Sequence, residues 1–499
     1  MRELGFDNER YLKEQSESIL ERADMFENKL YLEFGGKLVY DFHAARILPG
    51  FHPNVKIRLL ERLKDDAEIV VCVFAGDIER RKTRADFGIT YDLDVLRLID
   101  DLRRRDILVR SVVVTRYDRQ PSADAFIRRL ERHDIRVYRH AAIRGYPSDV
   151  ERIVSPDGYG ANEYIETDRR IVVVTAPGPG SGKLATCLNQ VYHEHQRGVH
   201  AGYAKFETFP IWNLPLKHPV NTAYEAATAD LMDYNLVDPF HQEAYQKTAI
   251  NYNRDVEAFP VVKHILRRIM GDDRVYQSPT DMGVNRAGFA ICDDELVRKA
   301  SIQEIIRRLF RYQCEYKMGL TEVETVDRVR VLMVEVGCSE TDRLVVEPAR
   351  EAAAVARERS GGHDGIYCGA AVELEDGRIV TGKNSVLLHA GSSAVLNAIK
   401  VLAELPEPIH LLSTQVLQSV GALKTDILKI GEVSLNLEET LIALSVSAAA
   451  NPMAQAALEK LQELNGCEMH MTHMPTPGDE AGLRRLGVNL TCDPNFSSK

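Results

Sequence analysis

Residues 171–189, IVVVTAPGPGSGKLATCLN, are the part of this chain that most constrains its fold. A run of β-branched residues ends in three glycines, two prolines, a serine and a lysine before helical spacing begins. A loop of this kind turns backbone N–H groups outward at the positive end of a helix, which suits phosphate. The sequence therefore predicts an anion-binding loop formed by Gly178, Gly180, Ser181, Gly182 and Lys183.

This loop departs from the two common phosphate-binding motifs. A P-loop requires glycine where the chain has Pro177 and a hydroxyl residue where it has Leu184. The dinucleotide fingerprint fails because its third glycine falls on Lys183. Without the usual hydroxyl, Ser181 or Thr186 would have to hold any magnesium ion. A nucleotide cofactor and magnesium stay open, as does a purely structural tight turn.

Composition and charge exclude several classes of protein. A formal charge of -11 over 499 residues argues against a nucleic-acid partner, which would need a basic surface. The sequence lacks the roughly 18 uninterrupted apolar residues that a membrane span requires, and its first residues are polar, unlike a signal peptide. Eight cysteines scattered singly are typical of a reducing compartment. We expect a cytoplasmic protein without a membrane partner.

The first part of the chain alternates apolar runs with amphipathic segments, which is typical of βαβ units. Strands are predicted at 69–74, 109–115, 135–138 and 171–175. The longest helix is predicted from 294 to 318, ending before Gly319. We predict an α/β region over residues 1–325, with a mostly parallel Rossmann-like or P-loop-like sheet and two lobes as an option.

A second domain is predicted over residues 326–499. The sequence indicates a strand at 329–337, a helix at 347–359, a hairpin turning at 375–377 and a helix at 393–403. Together these elements predict a separate α+β domain.

The segment around His389 resembles the core of the cytidine-deaminase fold, in which a hairpin leads into a helix that opens with HAE. Here His389 is followed by alanine and glycine, and the PCxxC ligands are absent. The resemblance implies a degenerate scaffold without deaminase chemistry. His470 and His473 have helical metal-ligand spacing, but prolines follow at 475 and 477, so we predict no metal site.

Polar residues are dense beyond the loop, which suits a substrate pocket better than a core. The substrate-binding candidates are His218, Asn221, Asn253, Arg254 and Asn285. The catalytic candidates are Lys183, Asp238, Asp281 and Arg286. In this hypothesis Lys183 and Arg286 neutralise phosphate, while Asp281 or Asp238 acts as base or metal ligand. The spacing does not choose between the two aspartates, and a capped turn explains residues 278–288 almost as well.

Three motifs, GPGSGKLAT at 178–186, NYNRDVEAFPV at 251–261 and SPTDMGVNRAGF at 278–289, together resemble the bacterial uncharacterised protein family 0371. The resemblance runs nearly end to end and implies an α/β amino-terminal region with a distinct carboxy-terminal domain. It does not settle an activity. Some members carry the label ATP-dependent peptidase, but this sequence has no GxSxG, no HExxH and no identifiable catalytic triad.

Three functional hypotheses follow. The first is a transferase that binds a nucleotide or another phosphorylated metabolite at residues 178–183 and moves a phosphoryl or nucleotidyl group. The second is a non-catalytic ligand sensor or assembly protein, favoured by the missing P-loop hydroxyl. The third is a hydrolase. We also expect a homo-oligomer, on size and class alone.

Overall fold

The computed structural model describes residues 4–27, 29–36, 38–39, 41–84, 88–272, 274–359, 362–363, 365–431 and 433–497. The chain divides into two compact units, Met1–Glu304 (unit 1) and Ile305–Lys499 (unit 2). The boundary that the sequence predicts at residue 325 falls inside unit 2, within a helix. Among the described residues, no helix combines the length and the apolar character needed to cross a membrane.

Unit 1 contains a large sheet and several small pairings. Its strands are β1 (Leu30–Phe34), β2 (Ala67–Phe74), β3 (Thr83–Arg84), β4 (Ile89–Thr90), β5 (Val109–Thr115), β6 (Arg136–His140), β7 (Ile171–Thr175), β8 (Gly202–Phe206), β9 (Asn235–Val237), β10 (Ile250–Tyr252) and β11 (Gly283–Val284). Its helices are α1 (Asn8–Asp24), α2 (Phe42–Ile47), α3 (Val55–Arg62), α4 (Ala75–Glu79), α5 (Tyr91–Arg103), α6 (Pro121–Arg132), α7 (Val150–Ile153), α8 (Lys183–Gln196), α9 (Pro219–Ala227), α10 (Pro239–Tyr245), α11 (Asn253–Met270), α12 (Pro279–Met282) and α13 (Asp294–Lys317), the last continuing into unit 2.

Seven strands of unit 1 form one sheet in the order β11-β8-β1-β7-β2-β5-β6, and every neighbouring pair is parallel. Strand β7, with the sequence IVVVT, is buried along its whole length. Continuous β-branched runs are what a parallel sheet covered on both faces requires. The predicted α/β class and parallel sheet are therefore confirmed.

The topology places the glycine-rich loop at the centre of this sheet. The chain winds outward through β2, β5 and β6, returns to the middle at β7, and then moves the opposite way to β8. Open α/β sheets form their ligand crevice at the carboxyl ends of strands where the winding direction reverses. The loop after β7 lies at this reversal.

Unit 2 has its own four-stranded mixed sheet, as the predicted α+β class requires. Its strands are β12 (Gly369–Glu373), β13 (Ile379–Lys383), β14 (Glu468–Met471) and β15 (Asn489–Cys492), in the order β13-β12-β14-β15. Its helices are α14 (Val323–Val336), α15 (Val346–Glu358), α16 (Ala390–Leu402), α17 (Thr414–Ala422), α18 (Leu437–Ala448), α19 (Pro452–Glu459) and α20 (Pro477–Arg485). The predicted hairpin is β12–β13, which are antiparallel, whereas β14 and β15 are parallel.

The predicted strand at 329–337 is wrong, because these residues belong to α14. Val326, Val329 and Met333 are buried at helical spacing, while Val331, which lies between them, is 58% exposed. The β-branched composition suggested a strand, but the spacing of the buried positions fits one face of a helix. Gly337 ends the helix in a left-handed conformation.

Candidate functional site

A cavity of about 300 Å³ lies in unit 1 at the carboxyl edge of the parallel sheet. Residues from the ends of β1 and β8, from α11 and from residues 279–286 line it. The lining includes the aromatic side chains of Phe209, Trp212 and Phe259 as well as charged side chains. A concave site lined by apolar and aromatic groups with a few polar ones is typical of small-molecule binding.

Lys205, on β8, lines the cavity and contacts two of the carboxylates that also line it. Its ammonium group lies 2.7 Å from Asp255 Oδ2 and 3.2 Å from Glu207 Oε1, and it also contacts the Tyr252 hydroxyl. Its side chain is 17% exposed. Burial alone would lower the pKa of Lys205, but the carboxylates of Asp255 and Glu207 hold that pKa well above its ordinary value. The lysine is therefore a fixed positive charge at neutral pH.

Glu207, directly after β8, has the protonation behaviour of an acid–base group. Burial raises the pKa of its carboxyl group to about 7, against the opposing effect of Lys205. The Tyr252 hydroxyl donates to Glu207, at 2.8 Å from Oε2. Gly35 makes room for this side chain, since a Cβ at Gly35 would lie 2.6 Å from Glu207 Cγ. Glu207 can therefore exchange a proton with a ligand near neutral pH.

Glu33 connects the cavity with the glycine-rich loop. It lies on β1, lines the cavity and accepts a hydrogen bond from the Tyr203 hydroxyl at 2.9 Å. Its other carboxylate oxygen is 4.0 Å from Lys183 Nζ. The Lys183 side chain is 13% exposed, so its ammonium group is held at the sheet edge rather than extended into water. Leu184, the next residue, lines the cavity itself.

The loop after β7 is hydrogen-bonded to the end of β5, two strands away in the sheet. Ser181 Oγ donates to the carbonyl of Gly178 at 2.9 Å, and Thr115 Oγ1 donates to the carbonyl of Ser181 at 2.8 Å. The Arg116 guanidinium donates to the carbonyl of Gly180. Gly182 has φ of +89°, a left-handed conformation that favours glycine. The loop is thus held through its carbonyls and the Ser181 hydroxyl.

Within the described ranges, the first amide groups of α8 are not used in holding the loop. Gly182 is the N-cap and offers no side-chain cap, and the first intrahelical bond joins the Thr186 amide to the Gly182 carbonyl. The amides of Lys183, Leu184 and Ala185 have no acceptor among the described residues. The predicted group Gly178, Gly180, Ser181, Gly182 and Lys183 therefore combines a rigid loop with unpaired donors and one cation.

The two predicted aspartates are engaged in hydrogen bonds that cap short helices. Asp238 is completely buried, and it accepts from the His241 amide at 3.0 Å and from Thr280 Oγ1 at 2.8 Å. Asp281 Oδ2 accepts from the amides of residues 277 and 278 and from the Tyr245 hydroxyl, each within 3.0 Å. Asp281 lines the cavity, but its carboxylate closes a capping box. These contacts favour a structural role for both carboxylates.

His218 and Asn221 lie apart from the cavity lining. His218 caps α9 and its Nε2 is 2.9 Å from Asp294 Oδ1, while burial lowers its pKa. Asn221 is fully buried and exchanges two hydrogen bonds with the backbone of Ile211. Both residues therefore fix the chain between β8 and α9.

The remaining predicted residues flank the cavity. Asn253 accepts from the Tyr234 amide at 3.1 Å, and Arg254 pairs with Asp233. Asn285 lines the cavity, but its amide donates to the carbonyls at 208 and 210. Arg286 also lines the cavity, with its guanidinium 4.4 Å from the ring centre of Phe289.

The sequence prediction missed Glu33, Lys205 and Glu207, and it placed Asp255 in a polar cluster suited to a substrate pocket without choosing it as a site residue. The predicted strands did not include 30–34 and 202–206, although both segments are apolar runs interrupted by one charge, in YLEF and YAKF. Burying a charge is unfavourable unless it is paired, so a lone charge inside an apolar strand indicates a site or an ion pair. That signal was present. The pairing of Lys205 with Asp255 needed the tertiary structure.

Comparison with known families covers almost the whole chain. Residues 4–337 match the family described as domain of unknown function DUF1846, N-terminal, and residues 341–499 match its C-terminal counterpart. A UPF0371 protein of Clostridium tetani (strain Massachusetts / E88) is 55% identical over 496 residues, which covers 99% of this chain and 98% of the relative. A UPF0371 protein of Clostridium botulinum (strain Langeland) is 56% identical over the same span.

Proposed function

Because this chain belongs to the UPF0371 family, whose name specifies no activity, we propose a function from the site itself: the protein binds a phosphorylated small molecule and transfers its phosphoryl or nucleotidyl group to a hydroxyl acceptor. The observation that carries this proposal is the position of Lys183 and the unpaired amides of α8 beside the cavity that Glu207 lines. Glu33 supports it, because it contacts Lys183 and lines the same cavity.

The phosphate group would occupy the amino end of α8. Amide donors and a helix dipole stabilise an anion there, and Lys183 neutralises charge that develops during transfer. The acceptor would lie in the cavity, with its apolar part against Trp212 and Phe259. The hydroxyl oxygen then bonds to phosphorus, the bond from phosphorus to the leaving group breaks, and the hydroxyl proton passes to Glu207. Lys205 stays protonated and stabilises the site electrostatically.

Glu207 takes the place of Asp281 and Asp238 as the proposed base. Asp238 lies outside the cavity lining and the carboxylate of Asp281 closes a capping box, whereas Glu207 lines the cavity and burial raises its pKa to about 7. A base with a pKa near the working pH combines availability of the unprotonated form with useful basicity.

The binding step is tested by isothermal titration of the wild-type protein and two variants. The ligands are inorganic phosphate, pyrophosphate, ADP, ATP and a hexose phosphate, each with and without magnesium chloride. We expect Lys183→Met to weaken binding of the best ligand by roughly 10- to 100-fold, the loss of one charge-assisted contact. Lys247→Met is the matched control, since Lys247 is exposed outside the cavity lining, and it should bind as the wild type does. Equal affinity in Lys183→Met would contradict the proposal.

The transfer step is tested by phosphorus NMR of the ligand after incubation with candidate alcohols. Glu207→Gln should keep affinity within about threefold and lower turnover by roughly 100-fold or more. Tight binding without any turnover by the wild type would instead support the sensor hypothesis. If the protein hydrolyses peptides and the Lys183→Met variant still does so, the hydrolase hypothesis would be supported.

A further inference from the structure

Cys314 and Cys492 place their sulfur atoms in contact within unit 2. Cys314 Sγ is 3.5 Å from Cys492 Sγ and 3.4 Å from the carbonyl oxygen of Cys492. The two residues are 178 positions apart in the sequence, so their meeting is a product of the fold. Cys314 lies in α13 and Cys492 ends β15.

Other side chains on the same face of α13 as Cys314 also contact the sheet of unit 2. Arg307, seven residues before Cys314, donates to Glu468 Oε1 at 2.7 Å. Phe310 packs on His470 with ring centres 4.7 Å apart. Residues 307, 310 and 314 lie on the same side of an α-helix, because they are separated by three and four positions. This side of α13 therefore packs on β14 over the two helical turns that precede Cys314.

The exposure of the two cysteines and the pKa values of their thiols favour oxidation of this pair. Cys492 is partly exposed, and Cys314 is 6% exposed beside it. A hydrogen bond with the Cys492 thiol lowers the pKa of Cys314, although burial opposes this effect. The same contact raises the pKa of Cys492. One sulfur is thus favoured as the thiolate that attacks, while the other stays protonated beside it.

We propose that Cys314 and Cys492 are a modification site, which peroxides convert to a reversible disulfide. The Cys314 thiolate attacks one peroxide oxygen, the O–O bond breaks, and a sulfenic acid and water form once the released oxygen takes up a proton. The Cys492 sulfur then attacks the sulfenic sulfur and the S–O bond breaks, which releases the second water. Two thiols lose two electrons in total and hydrogen peroxide gains them, and a dithiol reductant reverses the reaction. This inference is independent of the proposed function.

The disulfide would add a covalent cross-link to unit 2 and stabilise it. It would link α13 covalently to the last strand of the sheet and close a loop of 178 positions. Cross-links that close long loops stabilise mainly by restricting the unfolded chain.

The experiment treats the full-length protein with hydrogen peroxide, blocks free thiols with N-ethylmaleimide, and maps the peptides without reduction. We expect one cross-linked species that joins the peptides of Cys314 and Cys492, removed by dithiothreitol. The oxidised protein should melt about 5–10 °C higher in the transition of unit 2. Recovery of both cysteines as alkylated thiols, or as sulfinic acids without a cross-link, would overturn the proposal.

Three serine variants separate this pair from general oxidation. In Cys492→Ser the attacking thiol has no partner, so Cys314 should accumulate as sulfenic acid that dimedone traps. Cys314→Ser should lose the cross-link and the rise in melting temperature. Cys338→Ser is the matched control, since Cys338 is also partly exposed in unit 2, and it should keep both. A cross-link from Cys314 to another cysteine in Cys492→Ser would count against a dedicated pair.

Discussion

In unit 1 the ammonium group of Lys205 lies on the wall of a cavity, whereas in unit 2 the guanidinium of Arg343 is enclosed by acceptors. Arg343 is 1% exposed and donates to Thr491 Oγ1, to the carbonyls at 469 and 489, and to Glu468. Both groups are cations paired with carboxylates, with Lys205 partly buried and Arg343 fully buried. The difference is the free volume beside them, which makes one a candidate site and the other an internal brace.

The carboxylates of the two regions differ in the same way. Burial raises the pKa of Glu207 to about 7, while His470 Nε2, 3.4 Å from Asp493 Oδ1, and hydrogen bonds from Arg350 lower the pKa of Asp493 to about 2 despite its burial. A buried carboxyl whose charge is not fully compensated has a raised pKa and can take up a proton near neutral pH. A group that is fully paired stays ionised and contributes to stability instead.

The largest expected effect is on the stability of unit 2, where Arg343 is enclosed by acceptors. Arg343→Met leaves the Glu468 carboxylate and two carbonyls without their shared donor. We expect unit 2 to lose about 3–5 kcal/mol of unfolding free energy, the usual cost of breaking a buried ion pair. Urea denaturation measures this loss. Arg359→Met, at an exposed position, is the control and should stay within about 0.5 kcal/mol of the wild type. If Arg343→Met changes the unfolding free energy only slightly, Arg343 is not an internal brace and its contrast with Lys205 does not hold.

The next effect concerns the pH dependence of unit 1. Since the folded-state pKa of Glu207 is raised above the unfolded value of 4.5, its contribution is fully present below pH 4.5 and is lost as pH rises through about 7. Compared with Glu207→Gln, the wild type should therefore lose about 3 kcal/mol of stability between these pH values. Thermal melts from pH 4.5 to 8 measure the difference. If the stability of the wild type and that of Glu207→Gln change with pH in the same way, the pKa of Glu207 is not raised.

Asp493 should show the opposite sign. Its folded-state pKa of about 2 lies below the ordinary 3.8, so its contribution is present above pH 3.8 and is lost as pH falls through 2. Asp493→Asn should cost about 2 kcal/mol at pH 7, because Arg350 loses the negative charge and one of the two oxygens to which it donates. The difference from the wild type, followed by denaturation at falling pH, should shrink toward zero. A constant difference would mean that packing rather than charge is responsible.

The smallest effect tests whether Asp281 is a cap or a base. Asp281→Ala should cost about 1 kcal/mol, typical of a lost helix cap. Ligand affinity and turnover should stay within about threefold of the wild type, because the carboxylate is occupied by the amides of residues 277 and 278. Melting temperature and the titrations described above measure both quantities. Loss of turnover with little change in stability would return Asp281 to the catalytic set.

Much of the framework around the candidate site follows from local sequence. The buried run IVVVT, the glycines after it and the helical spacing from residue 183 placed strand β7, the loop and helix α8 correctly. The same reasoning failed at residues 329–337, where β-branched composition outweighed the helical spacing of buried positions. It also assigned chemistry to Asp238 and Asp281, since polar residues near turns look alike in sequence whether they cap helices or face a cavity.

The sequence alone determined the parallel sheet, the separate second fold and the loop with its lysine, because periodicity and glycine conformational freedom act over a few neighbouring residues. The tertiary structure decided which charges face open space. Lys205, Asp255 and Glu33 come from distant segments, and the pKa of Glu207 depends on how much water their packing excludes. The contact between Cys314 and Cys492 likewise depends on a helix lying across two strands, a relation that spacing along the chain does not encode.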